Sequence, residues 1–300
     1  MSNPSTPAVG SVPRFNPQVA RRKLSGTIFL GACMTAIGLL LIALVVLLID
    51  VLSKGVPWLD VDFLTGVPSR RAENAGILPA LVGSLEIGLM VGLISFPIGV
   101  GAAIYLEEYA RDTFITRALR TNISNLAGVP SIIYGIFGLA IFVRAIGLGR
   151  SPLAAALTLA LLIMPIVIIA TIEALRAVPD SQREGSYALG ATHWQTVRGS
   201  VLPAAAPGIV TGIILAMARA IGEAAPIIVI GAASFVTFLP TPLQEGFSVL
   251  PIQVYQWASR PQASFQGIAA AAILVLLFLM IVMNVLAVLV RTRLARNIQW

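Results

Sequence analysis

Six long apolar segments constrain this chain more than any other feature. Each is long enough to cross the hydrocarbon core of a bilayer, which takes about 20 residues of α-helix. They cover residues 27–52, 80–106, 123–147, 152–175, 204–232 and 266–290. Because lipid offers no hydrogen-bond partners, backbone that crosses it as single segments is helical. The sequence therefore predicts an all-α integral membrane protein with about six transmembrane helices.

The composition excludes a soluble globular domain. Hydrophobic residues make up 57% of the 300 residues and charged residues only 11%, whereas a soluble domain carries about 25% charged residues. The net charge of +7 is better explained by basic residues that flank membrane spans than by nucleic-acid binding. We therefore expect membrane lipid, and no nucleic acid, around this chain.

The distribution of basic residues predicts the orientation. If the N-terminus is cytoplasmic, thirteen Lys and Arg residues fall on inner segments and six on outer ones, and Arg219 alone lies inside a span. Both termini are then cytoplasmic in a multi-pass protein. The predicted segments are a polar tail (1–23), a first transmembrane helix with its outer loop (24–79), a transmembrane domain (80–291) that contains an inner loop (176–203), and a C-terminal tail (292–300).

No metal or cofactor site is predicted. Cys33 and His193 are the only cysteine and the only histidine, so no intrachain disulfide forms and no acidic-plus-His cluster has metal-ligand spacing. A single histidine is more often a packing or surface residue than a ligand.

A charged pair lies near the middle of the fifth predicted span. Arg219 and Glu223 are four residues apart, so they are neighbours on one helix. Inserting either one alone into the centre of a bilayer costs on the order of 3 kcal/mol. Gly208, Gly212 and Ala216 lie on the same side as Arg219, a small-residue stripe of the kind that packs closely in membranes. Arg219 is therefore expected to face protein or water. The pair is either a structural lock between helices or a site on a solute path, where a guanidinium suits an oxyanion.

Glu86 lies about two turns into the second predicted span. A carboxylate at that depth needs a partner or water, and a basic residue on a neighbouring helix would serve. Glu86 is accordingly assigned to the substrate path with Arg219 and Glu223, with a structural role as the alternative.

The inner loop 176–203 is polar but has the marks of short helices. Pro179 and Asp180 offer a helix start, and Tyr187, Leu189 and Trp194 give an apolar edge. The chain has no G-x-x-x-x-G-K-[S/T] phosphate loop. If transport uses ATP, the nucleotide therefore binds to a partner, and this loop is the expected contact.

The stretch "EGSYALGATHWQTVRGSVLP", residues 184–203, resembles the EAA loop of ABC-importer permeases. Glu184, Gly190, Leu202 and Pro203 match that pattern, while Gly185 and Ser186 replace its two alanines. In the family, this short helix docks into a groove of the ATPase subunit. The resemblance implies that the residues coupling to the ATPase are Glu184, Gly185, Ser186, Ala188, Leu189 and Gly190.

Three further stretches resemble one particular type of ABC-importer permease. "AGVPSIIYGIFGL" (127–139), "ARAIGEAAPI" (218–227) and residues 250–277 are similar to phosphate-importer permeases of the PstA type. This implies the type I ABC importer permease fold with a cytoplasmic coupling helix, in a bacterial cytoplasmic membrane. It also implies three kinds of partner: a second permease of the PstC type, two ATP-binding subunits of the PstB type, and an external phosphate-binding protein of the PstS type. ATP and Mg²⁺ would be bound by the ATPase, and this chain would be no enzyme.

Two alternatives remain at this point. A permease for another oxyanion, such as sulfate or molybdate, would use an arginine in the same way. A stand-alone secondary anion transporter or channel would need no docking helix and often shows inverted repeats, of which the sequence gives no convincing sign.

Overall fold

A computed structural model describes residues 17–232, 235–243 and 246–296 of the protein. The chain divides into two compact units, Met1–Asp50 and Val51–Trp300. All regular elements in the described ranges are helical, which confirms the predicted all-α fold. The α-helices are α1 (Pro17–Gly55), α2 (Val61–Thr65), α3 (Leu78–Ile104), α4 (Phe114–Ala127), α5 (Ser131–Gly138), α6 (Pro152–Arg176), α7 (Asp180–Ala188), α8 (His193–Thr196), α9 (Leu202–Gly222), α10 (Ala225–Ile230), α11 (Leu250–Ala258) and α12 (Ala263–Arg296).

Three π-helical turns extend these helices. They cover Tyr105–Tyr109 after α3, Leu139–Ala145 after α5 and Val197–Val201 between α8 and α9. Helix α8, its π turn and α9 thus form one continuous helical segment from His193 to Gly222.

The predicted terminal tails are only partly described. Residues 1–16 and 297–300 lie outside the described residues, whereas 17–23 belong to α1 and 292–296 to α12. The predicted segment boundaries are not otherwise tested and remain predictions.

Five helical segments are long and apolar enough to cross a membrane, and the number is six if a bent helix pair crosses as one span. The five segments are Ser25–Trp58, Leu78–Tyr109, Pro152–Arg176, His193–Gly222 and Ala263–Arg293. The prediction of about six spans is therefore confirmed.

The third predicted span, 123–147, is not one straight helix. The chain forms α4 and then a second helical segment, Ser131–Ala145, and these are bent by 101° where they join. Pro130 lies at this join, where its ring disfavours helical backbone at Val129 and its nitrogen has no hydrogen to donate. The prediction of a continuous span was wrong here because the apolar run hid the break.

The centre of the second unit is a close packing of α3, α6 and α9. Their facing side chains form one buried cluster that includes Ile87, Val91, Ile163, Val167 and Ala216. Burial of such side chains from water stabilises by about 1.5–3 kcal/mol each, but in lipid close packing is the main attractive term. Small residues are therefore the key to how closely these helices approach.

A second cluster joins the segment before α3 to the last two helices. Trp257 on α11 packs against Phe63 with ring centroids 6.1 Å apart. Ile77 and Ile268 are fully buried beside them. The hydroxyl of Ser84 accepts a hydrogen bond of 2.8 Å from the backbone N–H of Leu250, which fixes the start of α11 against α3.

Candidate functional site: a charged helix break and a coupling loop

Helix α9 carries the predicted small-residue stripe, and two of its glycines pack closely on a neighbouring helix, α6. A Cβ atom built on Gly212 would lie 2.4 Å from the Cβ of Ala170, and one on Gly208 would lie 2.8 Å from the Cβ of Ala174. Only glycine permits this approach. The close contact places α9 firmly against α6 about two to three turns before Arg219.

Arg219 and Glu223 form the predicted ion pair, with Nε of Arg219 3.5 Å from Oε1 of Glu223. Their side chains are 45% and 20% exposed, so the pair is not enclosed by the described part of this chain. Among the described residues, Arg219 has no second ion-pair or hydrogen-bond partner. Its terminal guanidinium nitrogens are therefore available to an acceptor.

The helix does not continue through the pair. Helix α9 ends at Gly222, and Glu223 has an extended backbone conformation, with φ −79° and ψ 119°. The expectation of one helix over 204–232 was wrong, because a separate helix, α10, begins at Ala225. Pro226 lies in its first turn, where the missing N–H of proline costs no helix hydrogen bond. The charged pair therefore marks a helix break.

The segment after the break packs on α5. A Cβ on Gly135 would lie 2.7 Å from the Cα of Pro226, so the two backbones nearly touch. Two of the quoted stretches that carry the family resemblance, 127–139 and 218–227, thus meet in space. Sequence spacing alone did not indicate this contact.

Tyr134 is a residue that the sequence analysis did not single out. It is 8% exposed, and its hydroxyl donates a 2.9 Å hydrogen bond to the carbonyl of Leu126. This bond spans the bend between α4 and α5, around Pro130, which we call the elbow. Tyr134 therefore stabilises the elbow.

Glu86 does not join the pair. It is half-buried on α3, and its Oε2 is buried without a hydrogen-bond partner among the described residues. The basic partner expected on a neighbouring helix does not lie within ion-pair distance in the described part of the chain. Its place on a substrate path stays a prediction.

The coupling loop, residues 176–203, folds as two short helices separated by a tight turn. Helix α7 ends in a glycine cap: Gly190 has φ +82°, its N–H bonds to the carbonyl of Tyr187, and the N–H of Ala191 bonds to that of Ser186. This arrangement requires glycine at its left-handed position. Thr192 and Gln195 then form a reciprocal capping box at the start of α8.

Five of the six predicted coupling residues are exposed: Glu184, Gly185, Ala188, Leu189 and Gly190. Leu189 stands out with 91% exposure, and Trp194 is 55% exposed beside the turn. The sixth, Ser186, is half-buried and hydrogen-bonds Thr196 across the loop at 2.9 Å. The loop thus presents apolar side chains at its tip, a surface suited to a protein partner.

Charged residues just after the C-terminal end of α3 bind this loop to the membrane helices, and the sequence analysis missed them. Glu108 pairs with Arg183 on α7 at 2.9 Å, and this hydrogen bond is the main cause that raises the pKa of Arg183 above its usual value. Glu107 pairs with Arg176 at 2.9 Å. The available signal was two adjacent carboxylates directly after a span, on the side of the chain richest in arginine.

The chain is similar to known membrane transport proteins over most of its length. Residues 95–296 match the family described as binding-protein-dependent transport system inner membrane component. A phosphate transport system permease protein, PstA 1, from Mycobacterium tuberculosis (strain CDC 1551 / Oshkosh) is 34% identical over 285 residues, 92% of each chain. The PstA protein of Haemophilus influenzae is 36% identical over 260 residues, 86% of this chain and 91% of the relative.

Solved structures give the same fold. A bacterial ABC transporter involved in import of the acidic polysaccharide alginate superposes with a TM-score of 0.62 at 14% identity, covering 92% of this chain and 99% of that one. An inward-facing MetNI methionine ABC transporter gives a TM-score of 0.55 at 23% identity over 74% and 97% of the two chains. The predicted type I importer permease fold is confirmed. The chain belongs to the family of binding-protein-dependent transport system inner membrane components and, within it, groups with permeases of the PstA type.

Proposed function

We propose that this chain is the PstA-type permease subunit of an ATP-driven importer of inorganic phosphate. The observation that carries the proposal is the similarity over about nine-tenths of the chain to permeases named for phosphate transport. In this role the chain transports and does not catalyse. It forms half of the translocation path, and ATP and Mg²⁺ are bound by a separate ATPase.

The charged helix break is the proposed place where the anion passes. Arg219 is held at one nitrogen by Glu223, which leaves a planar set of N–H donors for an oxyanion. An exposed guanidinium at the end of a broken helix suits a path that water and solute enter. Such irregular backbone at membrane depth is tolerated where it lines a cavity or is buried in protein. Glu86 is proposed to line the same path.

The proposed assembly contains a second permease of the PstC type, two PstB-type ATPases and an external PstS-type binding protein. The exposed tip of the coupling loop, with Leu189 at its centre, is the proposed ATPase contact. In the proposed orientation both termini are cytoplasmic, so the coupling loop lies on the ATPase side of a bacterial inner membrane.

The test is uptake by the whole assembly in proteoliposomes. Radiolabelled phosphate should enter in the presence of the binding protein and internal ATP, and excess arsenate should compete because it has the same geometry and charge. Excess sulfate should compete weakly. Uptake of sulfate or molybdate in preference to phosphate would reject the substrate, and uptake by this chain alone would reject the assembly.

A further inference from the structure

Two adjacent carboxylates, Glu107 and Glu108, lie on the π turn Tyr105–Tyr109 that ends α3. Their side chains are 16% and 6% exposed, and enclosed carboxylates are stable only with partners. A π turn is uncommon and often occurs at functional positions. We call this pair the acidic clamp, because its two members hold different helices.

Glu107 joins α3 to α4 and α6. Its Oε1 accepts a 2.9 Å hydrogen bond from Nε of Arg176, and its Oε2 accepts one of 3.2 Å from Nη2 of the same residue. This is the planar, two-point geometry that arginine forms with a carboxylate. Arg120 on α4 pairs with the same Oε2 at 3.0 Å. Glu107 thereby connects the C-terminal ends of α3 and α6 to the middle of α4.

Glu108 joins α3 to the first limb of the coupling loop. Its Oε1 pairs with Nη2 of Arg183 on α7 at 2.9 Å. Arg183 also donates to the carbonyls of Leu175 and Val178, at 3.0 and 2.9 Å. These carbonyls are at the C-terminal end of α6, where helix carbonyls lack partners within the helix. Arg183 therefore connects α3, α6 and α7.

The backbone of Glu108 joins α3 to the second limb of the loop. Its carbonyl lies 2.9 Å from Nε2 of His193, the first residue of α8. The other ring nitrogen of His193 lies 2.6 Å from the hydroxyl of Tyr187 on α7, and Tyr109 packs edge-on against the imidazole at 4.6 Å. The single histidine is thus a packing residue, as predicted, and it connects both limbs of the loop to α3.

We propose that the acidic clamp transmits movement of the coupling loop to the transmembrane helices, an inference that rests on the proposed function. The tip of the loop, at Leu189, is exposed to a partner, while Arg183 and His193 face the clamp. Docking and transmission therefore use different residues. Since α3 and α6 are both tied to the clamp, a displacement of α7 shifts them together and changes the helix packing beside the charged break.

The test compares Glu108→Gln with Arg198→Gln in the reconstituted assembly. Arg198 is an exposed guanidinium in the coupling loop with no ion-pair or hydrogen-bond partner in the described part of the chain, so it controls for replacing a charged side chain near the clamp by a neutral one. Phosphate uptake and ATP hydrolysis are measured in the same vesicles. For Glu108→Gln, we expect ATP hydrolysis within about twofold of wild type and the ATP consumed per phosphate imported to rise at least tenfold. Arg198→Gln should leave this ratio unchanged.

A double-variant cycle separates transmission from general damage. Because Glu108 and Arg183 act through one contact, Glu108→Gln with Arg183→Gln should raise the ratio no more than either change alone. Glu108→Asp keeps the charge but shortens the reach, so it should give an intermediate ratio, and it replaces Glu108→Gln if that variant fails to assemble. A wild-type ratio in assembled Glu108→Asp and Arg183→Gln complexes would overturn the inference. Absence of phosphate uptake by the wild-type assembly would instead reject the proposed function.

Discussion

The contact between α9 and α6 allows a sharp test of how the charged break is positioned. A Cβ on Gly212 would lie 2.4 Å from the Cβ of Ala170, whereas carbon atoms in favourable contact are about 3.5 Å apart or more. In Gly212→Ala the two helices must therefore separate by about 1 Å at this point. Such overpacking typically costs about 1–3 kcal/mol.

Helix propensity acts in the opposite direction and must be removed from the comparison. Replacing glycine by alanine inside a helix gains about 1 kcal/mol. Gly101 is a helical glycine on α3 with no atom within 4 Å of a built Cβ, so Gly101→Ala reports the propensity term alone. The free energy of unfolding of Gly212→Ala should therefore lie about 1–3 kcal/mol below that of Gly101→Ala.

The measurement is reversible unfolding of the purified chain in mixed micelles, titrated with a denaturing detergent and followed by tryptophan fluorescence. Ala170→Gly removes the atom that clashes, so Gly212→Ala with Ala170→Gly should recover the packing loss, a coupling of about 1–3 kcal/mol in a double-mutant cycle. The reasoning is refuted if Gly212→Ala is as stable as Gly101→Ala, or if Ala170→Gly brings no recovery.

Further variants test the remaining parts of the site. Arg219→Ala should abolish phosphate uptake without loss of complex assembly, and Arg219→Lys should keep little uptake because a lysine lacks the planar donor set; wild-type uptake in proteoliposomes by either variant would contradict the proposed path. Leu189→Asp should reduce co-purification of the ATPase at least tenfold, and unchanged recovery would exclude the loop tip as the contact. Gly190→Val forces a β-branched residue to φ +82°, so loop stability should fall by about 1–3 kcal/mol, visible as faster amide exchange at 184–192. Tyr134→Phe removes the bond to Leu126 and should cost about 1 kcal/mol of unfolding free energy, with no loss expected if the elbow is held otherwise.

The sequence predicted what depends on local pattern. The lengths of the apolar segments predicted the membrane spans. The four-residue spacing of Arg219 and Glu223 predicted their ion pair, and Gly208 and Gly212 predicted that this face of α9 packs closely on another helix. These features depend on residues within a few turns of one another. The exposure of Leu189 was indicated in the same way, by an apolar edge in a polar loop.

The missed features depend on contacts between distant segments. Glu108 and Arg183 are 75 positions apart. The residues around each of them do not indicate that the end of α3 lies next to α7. The helix break at Glu223 was hidden for a different reason. Pro226 follows the pair by three positions, but prolines also occur in continuous membrane helices, so the sequence did not indicate that α9 ends at Gly222.

The break changes the physical explanation for a charge pair at this position. In a continuous span, Arg219 would lie in mid-helix and its insertion would depend on Glu223. In the structure, Arg219 lies in the last turn of α9, where the negative end of the helix dipole stabilises a cation by about 0.3–1 kcal/mol. That is less than the cost of placing a guanidinium in hydrocarbon, about 3 kcal/mol on the mildest scale, and the half-exposed pair does not enclose the charge. We propose that water or an anion on the solute path supplies the difference, and phosphate uptake by Arg219→Ala decides between this path and a structural lock.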